Sequence, residues 1–402
     1  MSRDARTAVC IVVENLPVPL DRRVWKEACA LRDAGYRVSV ICPKGKRKFT
    51  TSYEVLDGIE IYRHRTWEAS TVRGYLLEYG VALVAEIALT LKVFARTRFR
   101  ILQGCNPPDT IFLIGLFLKP FGVRFIFDHH DLGPELFEAK FGRRSGLFYR
   151  LARLAELCSF RVASTCIATN ESFKDIAVAR GGKDPEHVFV VRNCPDLATF
   201  RRSGLQTCNK FGKSLVVVYV GFMGTQDGLD LLLEAIEHIV KRENRQDTHF
   251  VLVGGGTVIP ELRAIIARKN LEAYLTITDQ VSHDEVANYL SSADVGVAPD
   301  PKNTLNDNSS MIKIFEYMAF GLPVVLFDLK EGRRTAGSAA LYAVPNDPVD
   351  FANQVSKLLN CKTLREQLGE HGRKRIEEKL NWEVEKVSLI RAYDTALDAH
   401  HA

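Results

Sequence analysis

Lys313 and Glu316 stand behind the polar run "NTLNDNSS" and ahead of the strand-like "PVVLF". Residues three apart share one helical face, so this spacing holds an ammonium and a carboxylate together at the end of a polar loop. Ser309 and Ser310 are suited to cap that helix, and Gly321, Leu322 and Pro323 to close it. A lysine near a helix N-terminus opposes the macrodipole, which makes sense where an anion binds. The alternative is an ordinary surface pair.

A second candidate is "DHHDLGPELFE", with His129, His130, Asp128, Asp131 and Glu135 at the end of an apolar run. Adjacent histidines on a strand point to opposite faces, and no further His/Cys cluster accompanies them, so a metal site is the lesser reading. A histidine placed to hydrogen-bond a transferring group is the greater one, and His130 is the candidate because Asp131 and Leu132 begin the next turn. Glycine-rich turns form a third set. "GFMGTQDGLDLLLEAI" holds Gly221, Gly224 and Gly228 around a helix start, and "VLVGGGTVIPELRAIIA" follows an apolar run with a triple glycine. The first departs from GxGxxG, and GxxxxGK[ST] is absent, which counts against a dinucleotide oxidoreductase and a P-loop enzyme. The triple glycine fits an anion turn or a tight turn needing positive φ. Near the N-terminus, "ENLPVPLDRRVWKEACALRDAGYRVSVICPKG" reads as a helix capped by Asp21 with exposed Arg22 and Arg23, or as a substrate-binding loop.

Elements must place these residues. Short apolar runs alternate with amphipathic stretches, the pattern of parallel strands covered by helices. The expected strands are Ala8–Val13, Arg37–Ile41, Ile59–Arg63, Ile101–Gly104, Arg124–Asp128, Cys166–Thr169 and Val188–Arg192. A second series follows: Leu215–Val220, Phe250–Val253, Leu275–Thr278, Val295–Ala298, Pro323–Phe327 and Ala340–Ala343. The expected fold class is α/β, two doubly wound Rossmann-like domains facing a central cleft. Their spans are 1–200 and 215–385, joined by a polar linker, 201–214. Ligands of such sheets sit beyond the carboxyl ends of the strands.

The chain has 402 residues, too many for one ordinary core, and a net charge of +5 that by itself implies no nucleic acid. Nine scattered cysteines, with no CxxC pair, fit a reducing cytoplasm without disulfides or zinc. The run Ala8–Val13 is too brief for a signal peptide, and Tyr75–Ala95 is broken by Glu78, Glu86 and Lys92. Residues 142–161 interleave Arg143, Arg144, Arg150, Arg153 and Arg161 with Leu147, Phe148, Leu151 and Leu154. Residues 75–100 end in Arg96, Arg98 and Arg100. Both suit either an anionic membrane surface or helices with solvated arginines.

Together, "NLPVPLDRRVWKEACALRDAGYRVSVICP", "DHHDLGPEL", "ATNES", "YVGFMGTQDGLDLLLEAI", "FVLVGGG" and "LSSADVGVAPDP…KIFEYMAFGLPVV" resemble the family-4 retaining glycosyltransferases of the GT-B fold, closest to bacterial members that build lipopolysaccharide, capsule or exopolysaccharide. The resemblance implies a nucleotide-sugar donor, UDP-sugar first and GDP-mannose second, a glycan or lipid-linked acceptor, and retention without a metal or other cofactor. It gives Glu316 the ribose, His130 the reacting end of the donor sugar, and Gly221 and Gly224 the phosphates. Ser309, Ser310 and Met311 join the donor side, and Asn15, Asp21, Arg22 and Asp131 the acceptor side. It also sends the C-terminal stretch, 386–402, back onto the first domain. Two positions depart from the pattern. Asn308 stands where the first glutamate of E-x7-E belongs, with Asp307 as its substitute, and the basic pair after the second domain's first strand is missing, which leaves phosphate neutralisation to Lys313 or to Arg192. The expected location is cytoplasmic, peripheral on the inner face of the plasma membrane. The rival readings are a nucleotide-sugar epimerase and a non-catalytic partner of an assembly complex.

Overall fold

A computed structural model describes residues 7–45, 48–65, 72–141, 146–198, 200 and 210–398, with backbone alone for 72–79 and 139–141. Most of the 201–214 stretch therefore lies outside the described residues, as do Arg143 and Arg144. The chain divides into two compact units, Met1–Asn193 with Glu385–Ala402, and Cys194–Val384.

The first unit carries an eight-stranded sheet: β1 (Ala8–Val13), β2 (Arg37–Pro43), β3 (Tyr53–Leu56), β4 (Ile59–His64), β5 (Ile101–Cys105), β6 (Arg124–His129), β7 (Thr165–Ala168) and β8 (Val188–Val190), in the order β3-β4-β2-β1-β5-β6-β7-β8. Every residue of β1, a continuous apolar run, is buried, as helices on both faces require, and so is every residue of β5 including the polar Gln103. One strand was not expected from the sequence. β3 pairs antiparallel with β4, joined by Asp57 and Gly58, both at positive φ (48° and 79°), the geometry of a tight two-residue hairpin. The C-terminal helix Trp382–Asp398 packs within this unit through Tyr393, whose ring lies 5.8 Å from that of Tyr36, while Tyr36 Oη donates to Asp394 Oδ1 at 3.0 Å.

The second unit is wholly parallel: β9 (Leu215–Val220), β10 (Thr248–Val253), β11 (Leu275–Ile277), β12 (Val295–Ala298), β13 (Val324–Phe327) and β14 (Ala340–Ala343), in the order β11-β10-β9-β12-β13-β14. Its two faces are cored by clusters that include Leu233, Phe327 and Phe351 on one side and Phe315, Tyr317 and Met318 on the other. Burying each such side chain stabilises the unit by roughly 1.5–3 kcal/mol.

Both sheets are doubly wound, and the winding reverses between β1 and β5 in one and between β9 and β12 in the other. Neighbouring loops diverge at such a point and leave a crevice at the carboxyl ends of the strands. In the second unit β12 pairs with β9 only at Val295–Val217 and Gly296–Val218. Beyond that pairing the Tyr317 hydroxyl takes over, accepting from Val220 N at 2.9 Å and donating to Val297 O at 3.0 Å. Backbone groups freed by the divergence are thereby satisfied. Gly296 makes room for it, since a Cβ there would lie 2.5 Å from the tyrosine ring.

Candidate active site

The crevice end of the first sheet is built around Arg23, which is 6% exposed and not a surface residue as the sequence suggested. Asp21 caps the helix Arg22–Asp33, its carboxylate accepting from Val24 N at 3.1 Å, and Arg22 points outward while Arg23 turns inward beside Val24. The Arg23 guanidinium donates through Nη2 to Asp128 Oδ1 at 2.9 Å and through Nη1 to Val191 O at 2.7 Å, with Nε 3.1 Å from Glu27 Oε1. Gln103 Nε2 donates to Glu27 Oε2 at 2.7 Å and to Asp128 Oδ2 at 2.9 Å.

His130 completes the cluster, its Nε2 2.7 Å from Asp128 Oδ2 and 2.9 Å from Arg23 Nε. One nitrogen cannot donate to the first and accept from the second. Although burial opposes its charge, Arg23 and His130 hold the Asp128 carboxyl well below the usual range, so it is ionised, and the Arg23 Nε–H is directed at the ring nitrogen. Burial lowers His130, but the Asp128 carboxylate outweighs it and leaves the imidazole above its ordinary value. Burial lifts Glu27, against the pull of Arg23, to about 7.

His129 goes the other way, into the core, stacked on Phe127 with centroids 5.4 Å apart and edge-on to Phe160 at 5.1 Å. Burial pushes it down to about 3, so it is neutral at physiological pH. Asn106 fixes the following turn, accepting from His130 N at 2.6 Å and Asp131 N at 3.2 Å and donating to Asp131 O at 2.7 Å. Burial raises the Asp131 carboxyl, against the nearby His130. Asn15 is exposed just beyond β1. Cys105, Asp128 and His130 bring possible ligand atoms within 4.8 Å of one another. A metal would need deprotonated donors, yet burial and the neighbouring carboxylates push the Cys105 thiol far up, and Arg23 already balances Asp128.

In the second unit the crevice is made of backbone. Gly254, at φ +137°, lies so close to the β9 turn that a Cβ would stand 2.1 Å from Gly221 O. Gly228, at φ +69°, has the same 2.1 Å relation to Pro299 O after β12. Among the three glycines of 254–256, Gly254 alone has positive φ. Asn306, buried, ties the loop after β12 to the glycine turn by donating to Gln226 O at 3.1 Å and Pro301 O at 2.9 Å. The N–H groups of the two glycines singled out from the sequence are used internally, Gly221 N on Val253 O at 3.0 Å and Gly224 N on Asp227 Oδ2 at 2.9 Å.

Several residues of the "NTLNDNSSMIK" loop do something other than expected. Ser309 and Ser310 do not cap the helix Ile312–Ala319; Met311 is its N-cap, without a side-chain hydrogen bond. Ser309 Oγ donates to Leu305 O at 2.8 Å, and Ser310 Oγ is buried with no hydrogen-bond partner among the described residues. Asn308 Nδ2 donates to Thr304 O at 2.8 Å, in its own helix, and Asp307 Oδ1 accepts from Lys330 N at 2.9 Å. Lys313 is buried, its Nζ 2.8 Å from Asp300 Oδ1 and 4.7 Å from the Tyr219 ring centroid. The anion that its position calls for is thus supplied by the chain. Burial would lower its pKa, but Asp300 outweighs that and raises it. A Cβ on Gly221 would touch Lys313 Cε at 3.4 Å, so the lysine lies directly under the glycine turn. Glu316 is half-buried on the same helix. Arg192 forms ion pairs with Glu171 at 2.8 Å and Glu385 at 3.3 Å, in the first unit.

Sequence reasoning missed Arg23, Gln103, Asp300 and Tyr317. The i,i+4 spacing of Arg23 and Glu27 beside Val24, Ala28 and Leu31 was the one local signal for the first.

Two family models match this chain, one described as a glycosyl transferase 4-like domain over residues 20–194 and one as glycosyl transferases group 1 over residues 214–361. The chain belongs to these glycosyltransferases. It is 27% identical to the alpha-D-kanosaminyltransferase of Streptomyces kanamyceticus over 39% of this chain and 39% of that protein. It is 21% identical to an uncharacterized glycosyltransferase of Methanocaldococcus jannaschii over 86% of this chain and 87% of that one. The matches to the first curated relatives span less than half of those proteins, 39% and 48%. Among solved structures, sucrose-phosphate synthase of Thermosynechococcus elongatus superposes with a TM-score of 0.80 at 18% identity, covering 98% of this chain and all (100%) of that one. HepE of Anabaena in complex with UDP-glucose gives 0.72 at 14% identity, covering 97% and 100%. These neighbours show the GT-B fold.

Proposed function

We propose that this glycosyltransferase moves a sugar from a nucleotide-sugar donor, a UDP-sugar first and GDP-mannose second, to a glycan or lipid-linked acceptor with retention, in cell-surface polysaccharide synthesis. The observation that carries the donor reading is the backbone crevice at the carboxyl ends of β9, β10 and β12, floored by the helix that bears Lys313 and Glu316. The N–H groups of Gly255 and Gly256, which have no partner among the described residues, are the donors for the diphosphate, with the Lys313 charge beneath the adjacent turn. Preorganised donors of this kind are worth about 3–4 kcal/mol each where charge develops on a leaving group. Glu316 orients the ribose, His130 hydrogen-bonds the transferring sugar, and Asn15, Arg22 and Asp131 line the acceptor side. No metal enters this scheme. The solved neighbours that hold UDP-glucose support the uridine choice.

Calorimetric titration with UDP, GDP, ADP and their sugars, on wild type and Glu316→Ala with EDTA present, tests this reading. We expect binding selective for one base that survives EDTA and is lost in the variant. No binding would turn the reading to an assembly partner, and product formed without an acceptor to an epimerase.

We also propose peripheral contact with an anionic leaflet, from the cytoplasmic side. Among the described residues no helix is long and apolar enough to cross a membrane. The helix Leu147–Val162, however, buries Glu156, Ser159 and Phe160 while Leu147, Phe148, Leu151 and Leu154 stay exposed among Arg150, Arg153 and Arg161. Apolar side chains flanked by arginines suit an anionic interface. Co-sedimentation with phosphatidylserine vesicles at low salt is expected, and its absence would exclude this contact.

A further inference from the structure

We infer that Asp227 is a specificity-determining residue of the phosphate subsite, a fixed negative charge that admits a nucleotide sugar and disfavours the nucleoside diphosphate left after transfer. The inference rests on the donor reading of the preceding subsection. The carboxylate belongs to the glycine turn after β9, where Asp227 Oδ2 accepts from Gly224 N at 2.9 Å and Asp227 N donates to Gly224 O at 3.3 Å. Gly228 pins the next position, since a Cβ there would stand 2.1 Å from Pro299 O. The same turn runs along the triple glycine: Met223 N donates to Gly255 O at 2.9 Å, and a Cβ on Gly256 would lie 2.2 Å from Met223 O. Asp227 is thereby placed beside the N–H groups assigned to the diphosphate.

The balance of charge decides what it does there. Lys313 is buried under the turn and already paired with the buried Asp300 at 2.8 Å, and residues 221–228 include no basic side chain. Asp227 sets a second carboxylate against that one ammonium. The other titratable groups facing the cluster are Tyr219 on β9 and, on the helix Ile312–Ala319, Tyr317 and Glu316; burial pushes both tyrosines up, so they stay neutral. Burial also raises the Asp227 carboxyl, against Lys313 and the Gly224 N–H, which favour its charged form.

A nucleotide sugar carries one negative charge on each phosphate. Transfer replaces the bond between the anomeric carbon and the terminal phosphate oxygen with a bond to an acceptor oxygen; the phosphate keeps the electron pair and the acceptor's proton is released. The terminal phosphate then ionises a second time above about pH 6, and its added charge meets both carboxylates. Repulsion by one charge across a partly buried site is worth on the order of 10-fold in affinity.

The test is calorimetric titration of wild type, Asp227→Asn and Asp227→Ala with two pairs of probes, UDP against UDP-glucose and GDP against GDP-mannose, at about pH 7.5 and about pH 5.5, on either side of that ionisation. Asp227→Asn keeps an acceptor for Gly224 N and loses the charge. At the higher pH it is expected to tighten the diphosphate about 10-fold more than the nucleotide sugar, and the gap is expected to close at the lower pH. Asp227→Ala should show the same change in discrimination, whatever it does to affinity as a whole. Wild type itself is expected to bind the diphosphate more tightly at the lower pH, and weaker binding there would overturn the inference even if neither variant folds. A carboxylate that only holds the loop would leave Asp227→Asn like wild type and weaken both ligands alike in Asp227→Ala. Either result overturns the inference and leaves the donor reading standing, whereas no binding of any probe by any of the three proteins overturns both.

Discussion

At the edge of the first sheet Arg23, Glu27, Gln103, Asp128 and His130 lie within hydrogen-bond reach of one another, whereas the edge of the second is closed by Gly221, Gly228 and Gly254. The two edges solve different problems. A buried charge cluster fixes one side chain, His130, by surrounding it with groups that are themselves held by several hydrogen bonds, which offset a large desolvation cost. A glycine-lined edge fixes the main chain, by letting loops approach to distances that any side chain would forbid. Function that needs one side chain held in place calls for the first, and function that needs N–H groups close to an anion calls for the second.

The sharpest way to break the comparison is Gly254→Ala. The new methyl would sit 2.1 Å from Gly221 O at a φ of +137°, so the turns must part. Misplacement on the order of 1 Å can cost about 100-fold. We expect a loss of that size in nucleotide-sugar affinity by calorimetry, and an unchanged affinity would show that the close approach serves the fold alone. Next comes Arg23→Met, which strips the cation from Glu27 and Asp128. A destabilisation of about 3–5 kcal/mol in urea is expected, as for a buried pair that loses one partner. A cost under about 1 kcal/mol would mean that the carboxyls simply take up protons.

The smallest effect is one of pH. Burial raises Asp109, which Glu156 and Asp131 push further, to about 7; burial likewise raises Glu156 to about 7 despite Arg180, and Glu27 to about 7 despite Arg23. A folded pKa above the unfolded one adds stability that is complete below the unfolded value and lost as pH rises through the folded value. His129, lowered by burial to about 3, acts in the opposite sense but only below its unfolded value of 6.5. Between pH 6.5 and 8 the carboxyls act without it, and Tm of the first unit should fall by about 2–4 °C for each ~1 kcal/mol lost. A Tm that rises across this window would contradict the buried-acid assignment.

Much of the scaffold was legible because parallel strands buried on both faces must be apolar throughout. Ala8–Val13, Leu215–Val220, Val295–Ala298 and Ala340–Ala343 appear with the ends expected of them. The missed strand, Tyr53–Leu56, is short and half exposed, and its signal was the Asp57–Gly58 turn, not its hydrophobicity. The polar loop was legible in position and misread in detail. Ser309 and Ser310 have the right chemistry for a cap, but the helix starts one residue later and their hydroxyls turn elsewhere. The buried Lys313 ammonium pairs with Asp300, thirteen residues earlier, a partner that is invisible in the sequence until the loop between them folds back.

By itself the sequence determined the doubly wound class, the alternation of strands and helices, and which turns must carry glycine, because those follow from local burial and backbone sterics acting over a few residues. Tertiary structure alone decided that Arg23 turns inward, that Lys313 is paired, and that Tyr393 addresses Gln103 from 290 positions away. Ion pairs and hydrogen bonds among buried groups join residues brought together only when the sheet closes, and no periodicity along the chain encodes them.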